Sequence, residues 1–243
     1  ALQPDGKIIV GGQFVHGMKV GEQILVYNGT VRLNPDGSIN TSFKPFDERN
    51  VFAVALQKDG KIIAAGHWDR TTLVKRANIT RFHPDGSLDE TFDPGPGTDW
   101  PNPATSVRSL AIQDDGKILL AGSFRTVAGD ARAGLARLHA DGRLDQSFRA
   151  PTRPGDDVQA LLLQPDGKLI ISAVLNQPPP SMQSPVLRLN SDGSLDLDFK
   201  AVSIRRGPLA IQPDGKVIGA LPAPSATAAI ELCCSIFDVF QPL

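Results

Sequence analysis

Little in this sequence advertises chemistry. Of 243 residues, two are cysteine, two methionine, two tryptophan and one tyrosine. Cys233 and Cys234 are adjacent, a spacing that rarely allows ordinary disulfide geometry, and two thiolates alone make no zinc site. Neither sign of charge dominates, with 25 basic residues against 26 acidic ones and no long run of either. That balance lacks the basic stripe of a nucleic-acid or anionic-membrane binder. No apolar run approaches the roughly 20 residues that span a bilayer as helix, so membrane insertion is not expected. The catalytic signatures that spacing alone can reveal are missing as well. There is no Gly-x-Ser-x-Gly elbow, His-Glu-x-x-His helix, phosphate loop or dinucleotide fingerprint. His16 and His67 are isolated and His83 and His139 sit in turns, so no zinc cluster stands out.

What the sequence does have is repetition. The stretch Ala55 to Gly66 sets two apolar runs around an Asp-Gly turn, and close copies begin at Ala1, Ala111, Leu162 and Ala210. A second phrase alternates with it over Val31–Phe43, Ile79–Phe92, Leu135–Phe148 and Leu187–Phe199. The turn aspartates Asp5, Asp59, Asp115, Asp166 and Asp214 recur at intervals of about 50 residues, the size of a propeller blade made of two hairpins. In Gln3-Pro4-Asp5-Gly6-Lys7, proline presets the first corner, aspartate suits the second, and glycine takes the left-handed position that closes a bulged hairpin. The flanks are short, leucine-rich or β-branched, and bounded by turns, which reads as strand. Nearly continuous apolar character in 157–164 and 168–173 predicts strands covered on both faces.

The expected architecture is all-β. It is a propeller of four-stranded antiparallel blades, about four and a half to five of them, fewer than a comfortable ring. The blades run over 1–46, 50–93, 105–150 and 156–200, with half a blade at 203–221. Residues 222–243 break the pattern and either complete the fifth blade or form a divergent end. The start at Ala1, inside a repeat, reads as a piece of a longer polypeptide with other domains. On each third strand stands Arg32, Arg81, Arg137 or Arg188. Opposite, on an expected fourth strand, stand Asn40, Asp89, Asp145 and Asp196, followed by Phe43, Phe92, Phe148 and Phe199. Cross-strand Arg–Asp contacts and phenylalanines wedged between blades are the plain structural reading.

Together, Leu-Gln-Pro-Asp-Gly-Lys-Ile-Ile-x-x-Gly and Arg-Leu-Asn-x-Asp-Gly-Ser-Leu-Asp-x-x-Phe resemble the bacterial delta-60 repeat family over residues 1–221. Five glutamines and nine Asp-Gly turns stand in phase. The resemblance implies a propeller-like fold within large secreted or cell-surface bacterial proteins. It implies no catalytic motif and no cofactor.

Function is expected on the loops that vary from repeat to repeat, 14–29, 67–78, 94–106, 124–134 and 174–185. The richest pair holds Trp68, Asp69 and Arg70 with Asp99 and Trp100, aromatics beside acids and a base, suited to a sugar or a peptide. The same tryptophans suit packing of loops against blade edges. The Asn34–Asn40 stretch and its copies space oxygen donors like a calcium loop, but hairpin geometry already accounts for that spacing. The expected activity is non-catalytic binding of a protein or polysaccharide, or a spacer role. The alternative is a propeller hydrolase or lactonase with a metal in its central channel. The apolar inner strands at 52–56, 107–112 and 158–163 argue against that alternative.

Overall fold

The computed structural model describes residues 1–20, 23–45, 50–68, 77–98, 105–176, 185–199, 202–203, 209–212 and 217–219. Every regular element among them is a strand, and the sheets are all antiparallel. No helix of the described residues is long and apolar enough to cross a membrane.

The first repeat is built on β1 (Ile8–Val20) paired with β2 (Gln23–Leu33), with a bridge between Leu2 and Ile8 ahead of them. The second contains β3 (Val51–Leu56), β4 (Ile62–Gly66) and β5 (Ile79–Phe82). In the third, β6 (Val107–Ile112) and β7 (Ile118–Gly122) are followed by a small ribbon of β8 (Thr126–Val127) and β9 (Asp130–Ala131), then β10 (Leu135–Leu138). The fourth contains β11 (Asp157–Leu163), β12 (Leu169–Val174), β13 (Pro185–Leu189) and β14 (Val202–Ser203). A last hairpin, β15 (Leu209–Ile211) with β16 (Val217–Gly219), opens the fifth.

The Asp-Gly turns close as the sequence predicts. In the second repeat Gln57 N donates to Lys61 O at 2.9 Å, Gly60 N donates to Gln57 O at 2.9 Å, and Gly60 takes φ 84°. The second strand of each hairpin is the buried one. All five residues of β4 and all five of β7 are inaccessible, because adjacent repeats cover both faces. First strands lie against first strands, β3 on β6, β6 on β11 and β11 on β15, and so form the inner edge of an arc. The described repeats do not close into a ring.

Three departures from the sequence reading have physical causes. The expected fourth strand is absent from the segment before each phenylalanine. After one bridge, such as Phe82 to Leu88, the chain turns, because Asp89 Oδ1 accepts from Thr91 N at 3.0 Å and Thr91 Oγ1 at 2.6 Å. A carboxylate that binds its own backbone two residues on competes with the ladder and ends it. In the fourth repeat the outer position is taken instead by β14, which follows Phe199 and pairs with β13. The stretch 14–29, expected as a loop, is mostly paired strand. Part of 124–134 is likewise the β8–β9 ribbon.

Candidate ligand-binding face at the inner edge

The most repetitive side chains build the joint between repeats. Arg81 Nε donates to Asp89 Oδ2 at 2.8 Å, Arg137 Nε to Asp145 Oδ2 at 2.9 Å, and Arg188 Nε to Asp196 Oδ2 at 2.7 Å. The far end of the guanidinium crosses to the next repeat. Arg32 Nη1 donates to Pro84 O at 2.7 Å, Arg81 Nη1 to Ala140 O at 2.5 Å, and Arg137 Nη1 to Ser191 O at 2.6 Å. Its flat face rests on the phenylalanine of its own repeat, with guanidinium carbons 4.7 to 4.9 Å from the ring centroids of Phe43, Phe92, Phe148 and Phe199. Lysines of the first hairpin complete the charge: Lys61 lies 3.0 Å from Asp89, Lys117 3.7 Å from Asp145 and Lys168 2.8 Å from Asp196. Where the first repeat has Asn40, Lys7 turns to Asp5 at 2.6 Å instead.

These carboxylates are therefore committed to the scaffold. Burial pushes the Asp145 carboxyl up, but hydrogen bonds from Ser147 and Arg137 outweigh it and hold it down at about 2. Asp196 is held at about 2, chiefly by Lys168, against its burial and with help from Arg188. The turn aspartates that resemble a calcium loop are similarly engaged: Asp36 Oδ1 accepts from Ser38 N at 2.9 Å and Ser38 Oγ at 2.6 Å. Among the described residues, no three His, Cys, Asp or Glu side chains are placed to share a metal ion.

The inner edge is different. The first strands of the second, third and fourth repeats open with a bulge, between Val51 and Ala53, Val107 and Ser109, and Val158 and Ala160. The extra residues are Phe52, Arg108 and Gln159. A bulge leaves its extra residue out of the ladder and re-aims its side chain. Two glycines make room for this: a Cβ on Gly66 would lie 2.0 Å from Asn50 O, and one on Gly122 would lie 2.0 Å from Ser106 O. Those same carbonyls accept from His67 N and Ser123 N, each at 3.0 Å, which fixes the start of the strand.

Phe52 is 47% exposed, unusual for so large an apolar ring. Arg108 reaches to the fourth repeat, where Nε and Nη2 donate to the two oxygens of Asp157, each at 3.2 Å. Gln159 also donates to Asp157. One ring, one ion pair and one amide thus line neighbouring inner strands at equivalent positions. The expectation that 52–56, 107–112 and 158–163 are apolar holds for 52–56, whose bulge residue Phe52 is itself apolar, and fails at Arg108 and Gln159. Period-two reading did not expose them, because an inserted residue reverses the side-chain alternation. The available signal was that Phe52, Arg108 and Gln159 occupy one repeat position with three unrelated chemistries.

Of the residues proposed from the loops, Trp68 is described. It is half-buried against the cluster of Ile9, Phe43, Val51 and Ile62. Its backbone N donates to Asn78 Oδ1 at 2.7 Å, and its indole Nε1 is buried with no partner among the described residues. Beside it, His67 Nδ1 lies 2.8 Å from Thr105 O, and Asn78 Nδ2 donates to Thr98 Oγ1 at 2.9 Å, so this corner ties the second repeat to the third. Asp69, Arg70, Asp99 and Trp100 lie outside the described residues. On the opposite face, a cleft of about 450 Å³ is lined by Gln113, Asp114, Asp115, Leu163, Gln164, Pro165 and Gly167. Its acids are already paired, Asp115 with Lys117 at 3.2 Å and Asp114 with Lys58 at 3.6 Å.

No curated protein matches this chain. Among solved structures, it is similar to the extracellular domain of the putative hybrid two component system BT4673 from B. thetaiotaomicron, at 11% identity and TM-score 0.49, covering 89% of this chain and 25% of that one. It is also similar to a protein of unknown function from Bacteroides caccae, at 14% identity and TM-score 0.48, covering 87% and 64%. A third is virginiamycin B lyase from Staphylococcus aureus, at 13% identity and TM-score 0.47, covering 90% and 75%. The chain thus spans about a quarter of the BT4673 domain and under two thirds of the Bacteroides caccae protein. The repeat pattern itself is matched over residues 3–43, 57–92, 113–148 and 183–199, more than half of the chain, by the model described as a beta-propeller domain of unknown function, DUF5122, and the chain belongs to that family.

Proposed function

We propose that this chain is a non-catalytic binding module of a larger bacterial protein, exposed at the cell surface or secreted. Its partner is a protein or polysaccharide, held where the inner edge meets the variable loops. The observation that carries this reading is the bulge position. The second, third and fourth repeats each supply one exposed or half-exposed residue there, and the residues differ: Phe52, Arg108 and Gln159. A scaffold position keeps its residue from copy to copy, whereas a contact position is free to diverge. An exposed ring suits stacking on a sugar face or an apolar side chain, and a guanidinium–carboxylate pair beside an amide supplies directional donors and acceptors. The extracellular setting rests on the resemblance of the repeats alone.

The test is binding of the full chain to glycan and peptide arrays, repeated with Phe52→Ala and Arg108→Ala. A hit weakened roughly tenfold or more by either variant, with melting unchanged, supports the site. Binding indifferent to both removes it. Turnover of an ester or lactone panel that stops on adding chelator would replace the module reading with that of a channel hydrolase.

A further inference from the structure

Beside β10, the outermost strand of the third repeat, Arg132 is only 6% exposed, yet no carboxylate among the described residues pairs with it. Its Nη1 donates to Ala131 O and its Nη2 to Gln146 Oε1, each at 2.7 Å. Its Nε is buried with no partner among the described residues. Arg81 and Arg137, buried to a similar degree, each hold an aspartate. A buried charge is costly unless an opposite charge meets it.

Gln146 keeps the acid away. Its exposed side chain stands between Arg132 and Asp130, accepting from the guanidinium through Oε1 and donating to Asp130 Oδ2 through Nε2. The carboxylate therefore reaches the base only through a neutral amide. Burial, and after it the charge of Arg149, pushes the Arg132 guanidinium down from its ordinary value, while Asp130 and Asp145 act in the other direction. Asp145 is already taken by Arg137 at 2.9 Å. The Arg149 side chain is exposed and makes no hydrogen bond or ion pair among the described residues.

The same three positions in the second repeat show what has changed. Counted from the joint arginine, the second repeat carries Arg76, Glu90 and Asp93 where the third carries Arg132, Gln146 and Arg149. The third repeat keeps the arginine, replaces the glutamate by its amide and reverses the last charge. The first and fourth repeats have Tyr27 and Gln183 in place of the arginine. Two cations against Asp130 leave one positive charge unmatched.

We propose that Arg132 and Arg149 form a binding site for one carboxylate group of a ligand. The carboxylate replaces the Gln146 amide oxygen on Nη2 of Arg132, the exposed glutamine turns aside, and Arg149 meets the ligand from the solvent side. A planar carboxylate matches the guanidinium fork, and Asp130 opposes the second negative charge that a phosphate would bring. The site flanks the outermost strand and does not rest on the reading of the inner edge.

The test titrates the full chain at pH 7 with sodium acetate, balanced by sodium chloride to hold ionic strength constant, and follows melting and the arginine Nε–H signals by NMR. The expected result is a saturable response, with melting raised by on the order of 2 °C once acetate stands about tenfold above its Kd. Arg149→Ala should melt with the parent chain in chloride and bind acetate about tenfold more weakly. Making Asp130→Asn and Gln146→Glu together exchanges acid and amide at constant net charge and sets a carboxylate directly on Arg132. That exchange should raise melting in chloride and abolish the response to acetate. Inorganic phosphate should stabilise the parent chain less than acetate does. The proposal is overturned if acetate gives no saturable response, if the response survives the exchange, or if phosphate stabilises more. A fall in melting on the exchange also overturns it, because the amide would then already satisfy Arg132.

Discussion

The joint and the inner edge are built from the same repeat, yet they obey opposite rules. At the joint, one arginine is shared among its own aspartate, its own phenylalanine and a carbonyl of the next repeat. Three partners that must fit at once leave no freedom to change, so the residues recur. At the inner edge, the bulge residue has left the ladder, and its backbone constrains its side chain very little. Phe52, Arg108 and Gln159 therefore share a position and nothing else. Repetition marks where the protein holds itself together, and divergence at one fixed position marks where it is free to meet something else.

Removing a joint residue should have the largest effect. Phe148 is fully buried in one cluster with Leu119, Leu135, Leu169 and Leu189. Phe148→Ala should cost about 3–5 kcal/mol and lower the melting temperature by on the order of 10 °C. Arg137→Ala should cost a similar amount, since Asp145 would stay buried with Ser147 but without its guanidinium partner. Urea titration followed by circular dichroism measures both. A cost under about 1 kcal/mol for either would mean that the joint does not hold the repeats together.

A milder change sharpens the comparison. The first repeat already runs its joint on Asn40, which accepts from Arg32 Nη2 at 3.0 Å. Asp145→Asn should therefore be tolerated far better than Arg137→Ala, at about 1–2 kcal/mol. Lys117 would lose a partner 3.7 Å away but keep Asp115 at 3.2 Å. Equal damage from the two variants would show that the charge of the aspartate matters more than its geometry.

Acid probes several joints together. Asp145 and Asp196 are each held at about 2 in the folded chain, below the ordinary aspartate value near 3.9. A lowered carboxyl stabilises the fold above its unfolded value, and that stabilisation disappears as pH falls through the folded one. Stability contributed by these groups should be level above about pH 5 and decline between about pH 4 and pH 2. Substituting Asp145→Asn should flatten part of that slope. A decline centred near pH 6 would point to histidine instead.

The alternation of phrases, the Asp-Gly turns and the Arg–Asp–Phe partnership could all be read from the chain, because each depends on residues close in sequence or repeated in phase. The truncated outer strand was harder to see. Whether Asp89 pairs across a ladder or folds onto Thr91 is decided by competition between two hydrogen-bonding schemes with the same residues. The inner edge was hidden for another reason. Its polar groups meet across repeats, Arg108 with Asp157 forty-nine positions away, and the bulge that aims them has no residue signature of its own. Trp68, chosen for its aromatic ring, proves to be half-buried against the scaffold, so ring chemistry alone did not separate packing from display.

The smallest effect on stability should come from the inner edge, and that is its diagnostic value. Phe52 is half in solvent, so Phe52→Ala should change stability by no more than about 0.5 kcal/mol. Arg108→Ala removes an exposed ion pair, worth about 0–1 kcal/mol, and leaves Asp157 still bonded to Gln159. Both variants should therefore melt with the parent chain while losing ligand. If Phe52→Ala melts several degrees lower, the ring is a joint residue in disguise, because an exposed contact residue should not move the transition. If it melts unchanged, Phe52 and Phe148 occupy the two extremes of the same repeat: one ring that the fold needs and one that the fold only presents.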